Sequence, residues 1–125
     1  MKVVCVTNTT RASVLCQRCS VADNLFTRVR GLLGRSGLEA NEGLLINPCP
    51  SIHMFGMKFA LDVIFVTADN VVTDYVENIA PGKAYVAKAH HGKARAAIEL
   101  PVGAISRNGT QIGDELAFEN IAPGA

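Results

Sequence analysis

The chain has 125 residues, of which 49% are hydrophobic and 18% are charged. This length and composition suffice for one folded domain with its own core, and they exclude a disordered chain. The formal net charge is only +1, so nothing in the overall charge predicts a nucleic-acid partner. No run reaches the ~18 apolar residues that predict a membrane span.

The N-terminal segment predicts a β-hairpin. Residues 3–6 are largely β-branched, residues 8–10 are typical of a turn, and residues 13–17 read as the return strand. The first six residues are too short for the apolar region of a signal peptide. We therefore expect a cytoplasmic protein, or a domain from which a leader has been removed.

A single amphipathic helix is predicted at about residues 24–34. Asp23 suits its N-cap, and Gly34 or Gly37 can end it in a left-handed conformation. The apolar side chains at helical spacing, expected to be buried against a sheet, are Leu25, Val29, Leu32 and Leu33.

The rest of the chain predicts short strands separated by turns. Strands are expected at residues 44–46, 61–66, 71–76, 95–100 and 115–118. The longest apolar run, residues 47–66, should form two strands with a break near Gly56. Asn70 suits a left-handed turn position.

These elements predict a mainly β fold: a single-domain β-sandwich or partly open barrel of mostly antiparallel strands with one helix. Residues 1–119 should form the domain, and residues 120–125 an unstructured tail.

Six motifs occur in a fixed order along the chain: RVRGLLGR at residues 28–35, EGLLI at 42–46, SIHMFGMKF at 51–59, LDVIF at 61–65, IELPVG at 98–103 and GD at 113–114. Together they resemble the bacterial and archaeal family called domain of unknown function 192, over about residues 5 to 118. The resemblance implies a compact β-rich sandwich, often exported, with no established reaction. Two departures stand out: Ala60-Leu61 replaces a usual Pro-Ile or Pro-Leu, and Cys16-Gln17-Arg18-Cys19 is not a family motif.

The segment around residues 53–58 predicts a binding groove. It offers an adaptable apolar surface with one orienting cation. The ligand-binding residues we expect are His53, Met54, Phe55, Met57 and Lys58. The leading hypothesis is a non-catalytic binding or accessory module that holds a small molecule or a peptide and needs no cofactor.

The alternative hypothesis is an enzyme of the hydrolase type. His53 or Glu99 would act as the base and Asp62 as the orienting acid. This requires the three side chains to converge within about 3–7 Å in a cleft. No P-loop, dinucleotide fingerprint or Ser/His/Asp order supports a more familiar reaction.

Asp62 and Glu99 also have a structural interpretation. Each lies in an apolar strand, where an unpaired carboxylate would be strongly destabilising, so each should be held by a cation or by backbone N–H groups. The nearest cations in the sequence are those of the predicted helix. We expect ion pairs between these acids and at least one of Arg28, Arg30 and Arg35.

Four cysteines raise the question of a metal. Zinc could be held by Cys16, Cys19, Cys49 and His53, but Cys49 and His53 do not have standard knuckle spacing. The expected state is four reduced thiols without a metal.

A basic stretch, residues 78–98, contains no acid. Because Tyr85 is its single aromatic residue, stacking on single-stranded nucleic acid has little support, and a mobile, solvated loop is expected. The sequence leaves the oligomeric state open.

Overall fold

The computed structural model describes residues 2–22 and 32–121. In this part of the chain there are nine strands and one short helix. The elements are β1 (Val3–Asn8), β2 (Ser13–Ala22), β3 (Glu42–Ile46), β4 (Ser51–His53), β5 (Leu61–Val66), β6 (Val72–Ile79), β7 (Ala84–Val86), β8 (Ala96–Leu100), α1 (Ala104–Asn108) and β9 (Leu116–Asn120).

Seven of these strands form one curled sheet in the order β6-β5-β8-β3-β2-β1-β9. The pair β2 and β3 is parallel, and the other paired strands are antiparallel. The two edge strands meet where they begin: Val71 forms a β-bridge with Glu115. The result is a single-domain half-barrel, which confirms the predicted fold class.

Two hydrophobic cores lie on opposite faces of the sheet. The inner core, inside the curl, includes Ile64 and Leu100 and is closed by α1 through Ile105. The outer core includes Val63 and Phe65 and is covered by the small sheet of β4 and β7. Every residue of β5 and β8 is buried, because both of their faces are covered.

The long apolar run does divide into two strands, β4 and β5, at a turn. Gly56 adopts a left-handed conformation with φ of 79°. Strict alternation would place His53 and Phe55 on the face of Val63. The turn at Gly56 interrupts this alternation of side chains, so that Met54 is buried in the outer core and Phe55 is exposed.

The predicted helix at residues 24–34 lies mostly outside the described residues. Two of the four side chains expected to be buried, Leu32 and Leu33, are described. Leu32 is buried, but Leu33 is 46% exposed, so the burial predicted for Leu33 is wrong. Helix α1 was not predicted, because its five residues are too few for a periodic pattern. Among the described residues, no helix is long and apolar enough to cross a bilayer.

Candidate functional site

A cavity of about 430 Å³ opens on the outer face of the sheet beside β4. Its walls come from Leu32 and Leu33, from Ile46, from most of segment 48–57, and from Glu99 on β8. Most of these side chains are apolar. The volume lies in the usual range of about 300–1,000 Å³ for small-molecule pockets.

The wall formed by segment 53–57 is positioned by backbone hydrogen bonds. The Met54 N–H donates to the Lys83 carbonyl at 2.6 Å, and the Met54 carbonyl accepts from the Gly82 N–H at 2.8 Å. A Cβ atom on Gly56 would lie 3.3 Å from Leu33 Cδ2. Glycine therefore serves two needs here, the left-handed turn and the open rim of the cavity.

Two aromatic rings stand at the mouth of this cavity. The rings of His53 and Phe55 stack with centroids 5.0 Å apart and an interplanar angle of 25°. Phe55 is 58% exposed, and the exposed Leu33 lines the same cavity. An exposed apolar rim next to an apolar cavity is typical of a ligand-binding surface.

Four of the five expected ligand-binding residues line the cavity. They are His53, Met54, Phe55 and Met57, whereas Lys58 is exposed and lies outside the lining. The orienting charge that the sequence suggested at Lys58 is therefore absent from the wall. The wall instead contains the carboxyl group of Glu99.

Glu99 reaches the cavity from the middle of the sheet. It lies opposite Val63 on β5 and Leu44 on β3, both outer-core residues, and directly opposed residues share one face. The residue is 8% exposed, and burial raises the pKa of its carboxyl group to about 7. Within the described residues, no hydrogen-bond donor compensates this desolvation.

Asp62 lies on the opposite face from Glu99. It opposes Leu100, an inner-core residue, so its side chain points away from the cavity. Its carboxylate accepts backbone hydrogen bonds from Asn78 at 2.9 Å, Gly103 at 3.0 Å and Ile105 at 3.2 Å. Asp62 therefore ties β5 to β6 and to the start of α1, and its side chain cannot orient a base in the cavity.

Of the three arginines expected to pair with these acids, only Arg35 is described. Its Nη2 donates to Glu42 Oε1 at 2.9 Å, not to either strand acid. Arg35 lies in the turn that leads into β3, and Glu42 is the first residue of that strand, so this carboxylate is close in sequence. Arg28 and Arg30 lie outside the described residues.

The structure separates the four residues of the zinc alternative. A bulge in β2 lets Cys16 and Cys19, three residues apart, both enter the inner core. Cys49 and His53 line the cavity on the other face. No cluster of three or more metal-ligating side chains occurs in residues 2–22 and 32–121.

The basic stretch is anchored by a buried acid that sequence reasoning overlooked. Asp74 on β6 accepts hydrogen bonds from Tyr85 Oη at 2.7 Å and from the Lys88 N–H at 2.7 Å. The hydrogen bond to Asp74 raises the pKa of Tyr85 to about 12. A signal existed in the sequence, because Asp74 interrupts the apolar pattern of a predicted strand.

Fold and site together define a class: a small curled β domain with an apolar side cavity of small-molecule size. The chain belongs to the DUF192 family, whose profile, described as an uncharacterized ACR, matches residues 5–118. A UPF0127 protein from Thermococcus sibiricus is 37% identical over 118 residues, covering 90% of this chain and 73% of that protein.

Two solved structures have the same fold. A protein of unknown function from Novosphingobium aromaticivorans is 26% identical with a TM-score of 0.73, covering 92% of this chain and 83% of that one. A protein from Sinorhizobium meliloti, provisionally described as a transcription regulator, has a TM-score of 0.76. It is 20% identical, covers 94% and 92% of the two chains, and is evidence for the fold alone.

Proposed function

We propose that this protein is a non-catalytic binding module whose cavity beside β4 holds a small molecule or an apolar side chain of a peptide. The observation that carries the proposal is the cavity of about 430 Å³ with its exposed aromatic rim. A ligand seated there would bury apolar surface of Phe55 and Leu33, which otherwise faces water.

The hydrolase alternative has weaker support. His53 and Glu99 both line the cavity, but Asp62 lies on the other face of the sheet and is already engaged by three backbone N–H groups. A base in the cavity would therefore lack its proposed orienting acid.

The experiment combines a ligand screen with a reporter at the rim. The chain contains no tryptophan, so Phe55→Trp places a single fluorophore at the mouth of the cavity. The matched control is Ile112→Trp, at an exposed site away from the cavity lining. Wild-type protein is first screened by thermal shift against small apolar molecules and peptides, since binding to the folded state raises the Tm.

Hits should shift the emission of Phe55→Trp and leave that of Ile112→Trp unchanged. Hits that stabilise the protein but leave the Phe55→Trp emission unchanged would place the ligand elsewhere and contradict the proposal.

A further inference from the structure

We propose that Glu99 binds the ammonium group of a small primary amine whose aromatic or branched apolar body fills the cavity. This inference rests on the proposed binding function and specifies its ligand. It is carried by a juxtaposition: a carboxyl group more than nine-tenths buried in an apolar wall, with no donor from the described residues.

Among the described residues, nothing offsets the cost of burying the Glu99 carboxyl group. A carboxylate removed from water needs hydrogen-bond donors or an opposite charge, and otherwise it holds its proton. The exposed Lys58 lies outside the lining and does not supply that charge. A bound ammonium group would supply both the charge and up to three donors.

The rest of the cavity determines the size and the apolar character of the ligand body. A volume of about 430 Å³ is far larger than an ammonium group requires, and most lining side chains, such as Ile52 and Met54, are apolar. At the mouth, the exposed face of Phe55 can stack on a ligand ring. The ligand is thus a short apolar body with a charged amine that reaches inward.

The same arrangement selects against other head groups. An alcohol on the same apolar body can donate one hydrogen bond but brings no charge, and a carboxylate would meet Glu99 with like charge. The expected order of affinity is amine, then alcohol, then carboxylate.

The test compares three probes of similar shape by calorimetry on the wild-type protein: 2-phenylethylamine, 2-phenylethanol and 3-phenylpropanoate. At pH 8 the amine should bind at least about tenfold more tightly than the alcohol, as expected for a charge-assisted contact, and the carboxylate should bind most weakly. Glu99→Gln should remove this preference while leaving the affinity for the alcohol within about threefold. The matched control is Glu119→Gln, at an exposed site on β9, which should change nothing.

The pH profile identifies the group responsible without relying on a variant that could misfold. Wild-type affinity for the amine should rise about tenfold between pH 6 and pH 8, because Glu99 ionises near pH 7 while the ammonium stays charged. The other titratable groups near Glu99 in the described chain are His53 and Cys49 across the cavity and Cys19 on β2. A rise that persists in folded Glu99→Gln belongs to one of those groups and overturns the assignment.

Failure of this inference is distinct from failure of the proposed function. Equal affinity for amine and alcohol overturns the role of Glu99 but supports an apolar binding cavity. Tightest binding of the carboxylate also overturns it. If none of the three probes binds, the ammonium assignment is overturned, while the reporter screen with other ligands decides the proposed function separately.

Discussion

Four acids are buried in the described part of the chain, and three of them, Asp62, Asp114 and Glu99, show how the neighbours of an acid decide its role. Asp62 is surrounded by backbone N–H groups. Burial alone would raise the pKa of Asp114, but hydrogen bonds from Arg11 and Asn8 outweigh it and lower that pKa. Glu99 is buried without such compensation from residues 2–22 and 32–121. Asp62 and Asp114 therefore stabilise the fold, whereas Glu99 is the acid that we propose binds a ligand.

The first prediction concerns Glu99 and stability. The folded state holds the Glu99 proton up to about pH 7, whereas the unfolded chain releases it near pH 4.5. The folded state thus binds more protons between these values, and the free energy of unfolding should fall by roughly 3 kcal/mol as the pH rises through that window. Urea unfolding at pH 5 to 8 should show a flatter profile for Glu99→Gln. Parallel profiles for the two proteins would contradict the burial of an uncompensated carboxyl group.

The second prediction concerns Asp62, which should act on stability alone. Asp62→Ala leaves the N–H groups of Asn78, Gly103 and Ile105 without their acceptor, and should destabilise the fold by about 3–5 kcal/mol. Chemical denaturation measures the loss. The control Asp69→Asn, in an exposed turn, should stay within about 0.5 kcal/mol of wild type. A stable Asp62→Ala protein that loses ligand binding would instead support a role at the site.

At the scale of single elements, the cavity depends on β4, β7 and the turn after β4. These short segments gain little from their own three-residue pairing and are held by contacts from elsewhere. Asp74 on β6 ties down Tyr85 of β7, and β7 in turn pairs with the strand that carries His53. The site is therefore built by strands that could not persist alone.

The third prediction tests the turn through two glycines. Gly56 and Gly34 both have left-handed φ, of 79° and 85°. Alanine should destabilise either position by about 1 kcal/mol because of backbone strain. At Gly56 the new Cβ would also press on Leu33 at the cavity rim, whereas at Gly34 nothing lies within 4 Å.

Ligand affinity should therefore fall in Gly56→Ala but not in Gly34→Ala, as measured by calorimetry with a ligand from the screen. Equal affinities in the two variants would show that the turn at Gly56 does not shape the ligand site.

The fourth prediction concerns the attachment of β7. Tyr85→Phe removes the 2.7 Å hydrogen bond to Asp74 and should destabilise the domain by about 1–2 kcal/mol. It should also abolish the tyrosine ionisation near pH 12 in a spectrophotometric titration. If the step near pH 12 persists in the variant, Tyr85 is not the tyrosine held by Asp74.

At the scale of the whole molecule, hydrogen bonds join the N-terminal hairpin to the segment before β9, close to the bridge between the two edge strands. Asp114, in the turn before β9, receives Arg11 Nε at 3.0 Å and Asn8 Nδ2 at 3.0 Å from the N-terminal hairpin. The Leu116 N–H also donates to the Asn70 carbonyl at 2.9 Å, which joins the beginnings of the edge strands. These contacts hold the half-barrel in its curled form.

The fifth prediction concerns these contacts of Asp114. Because the pKa of Asp114 is lowered in the folded state, the carboxylate adds to the free energy of unfolding. This contribution is fully present above the unfolded pKa near 3.8 and is lost as the pH falls through the folded pKa. At pH 7, Asp114→Asn should reduce stability by about 1–3 kcal/mol. The difference in Tm from wild type should vanish in strong acid. A difference independent of pH would mean that the charge of Asp114 contributes nothing.

Much of the fold was predictable because its signals are local. The β-branched run at the N-terminus, the strands at residues 61–66 and 95–100, and the left-handed Asn70 were all readable from short patterns, and the structure has β1, β5, β8 and an Asn70 φ of 64°. The apolar surface near His53 was also visible in the sequence. Such features depend on neighbouring residues, whose spacing the sequence states directly.

The tertiary structure alone decided which of these residues meet. Glu99 and Asp62 look alike in sequence, each an acid in an apolar strand, but the register of β5 against β8 sends them to opposite faces. The same register brings Glu99 into a cavity with Leu32 and His53, residues distant along the chain. Side-chain direction alternates at every residue, so a shift of one position in the pairing of β5 with β8 would place both acids on the same face of the sheet, and no local pattern specifies that pairing.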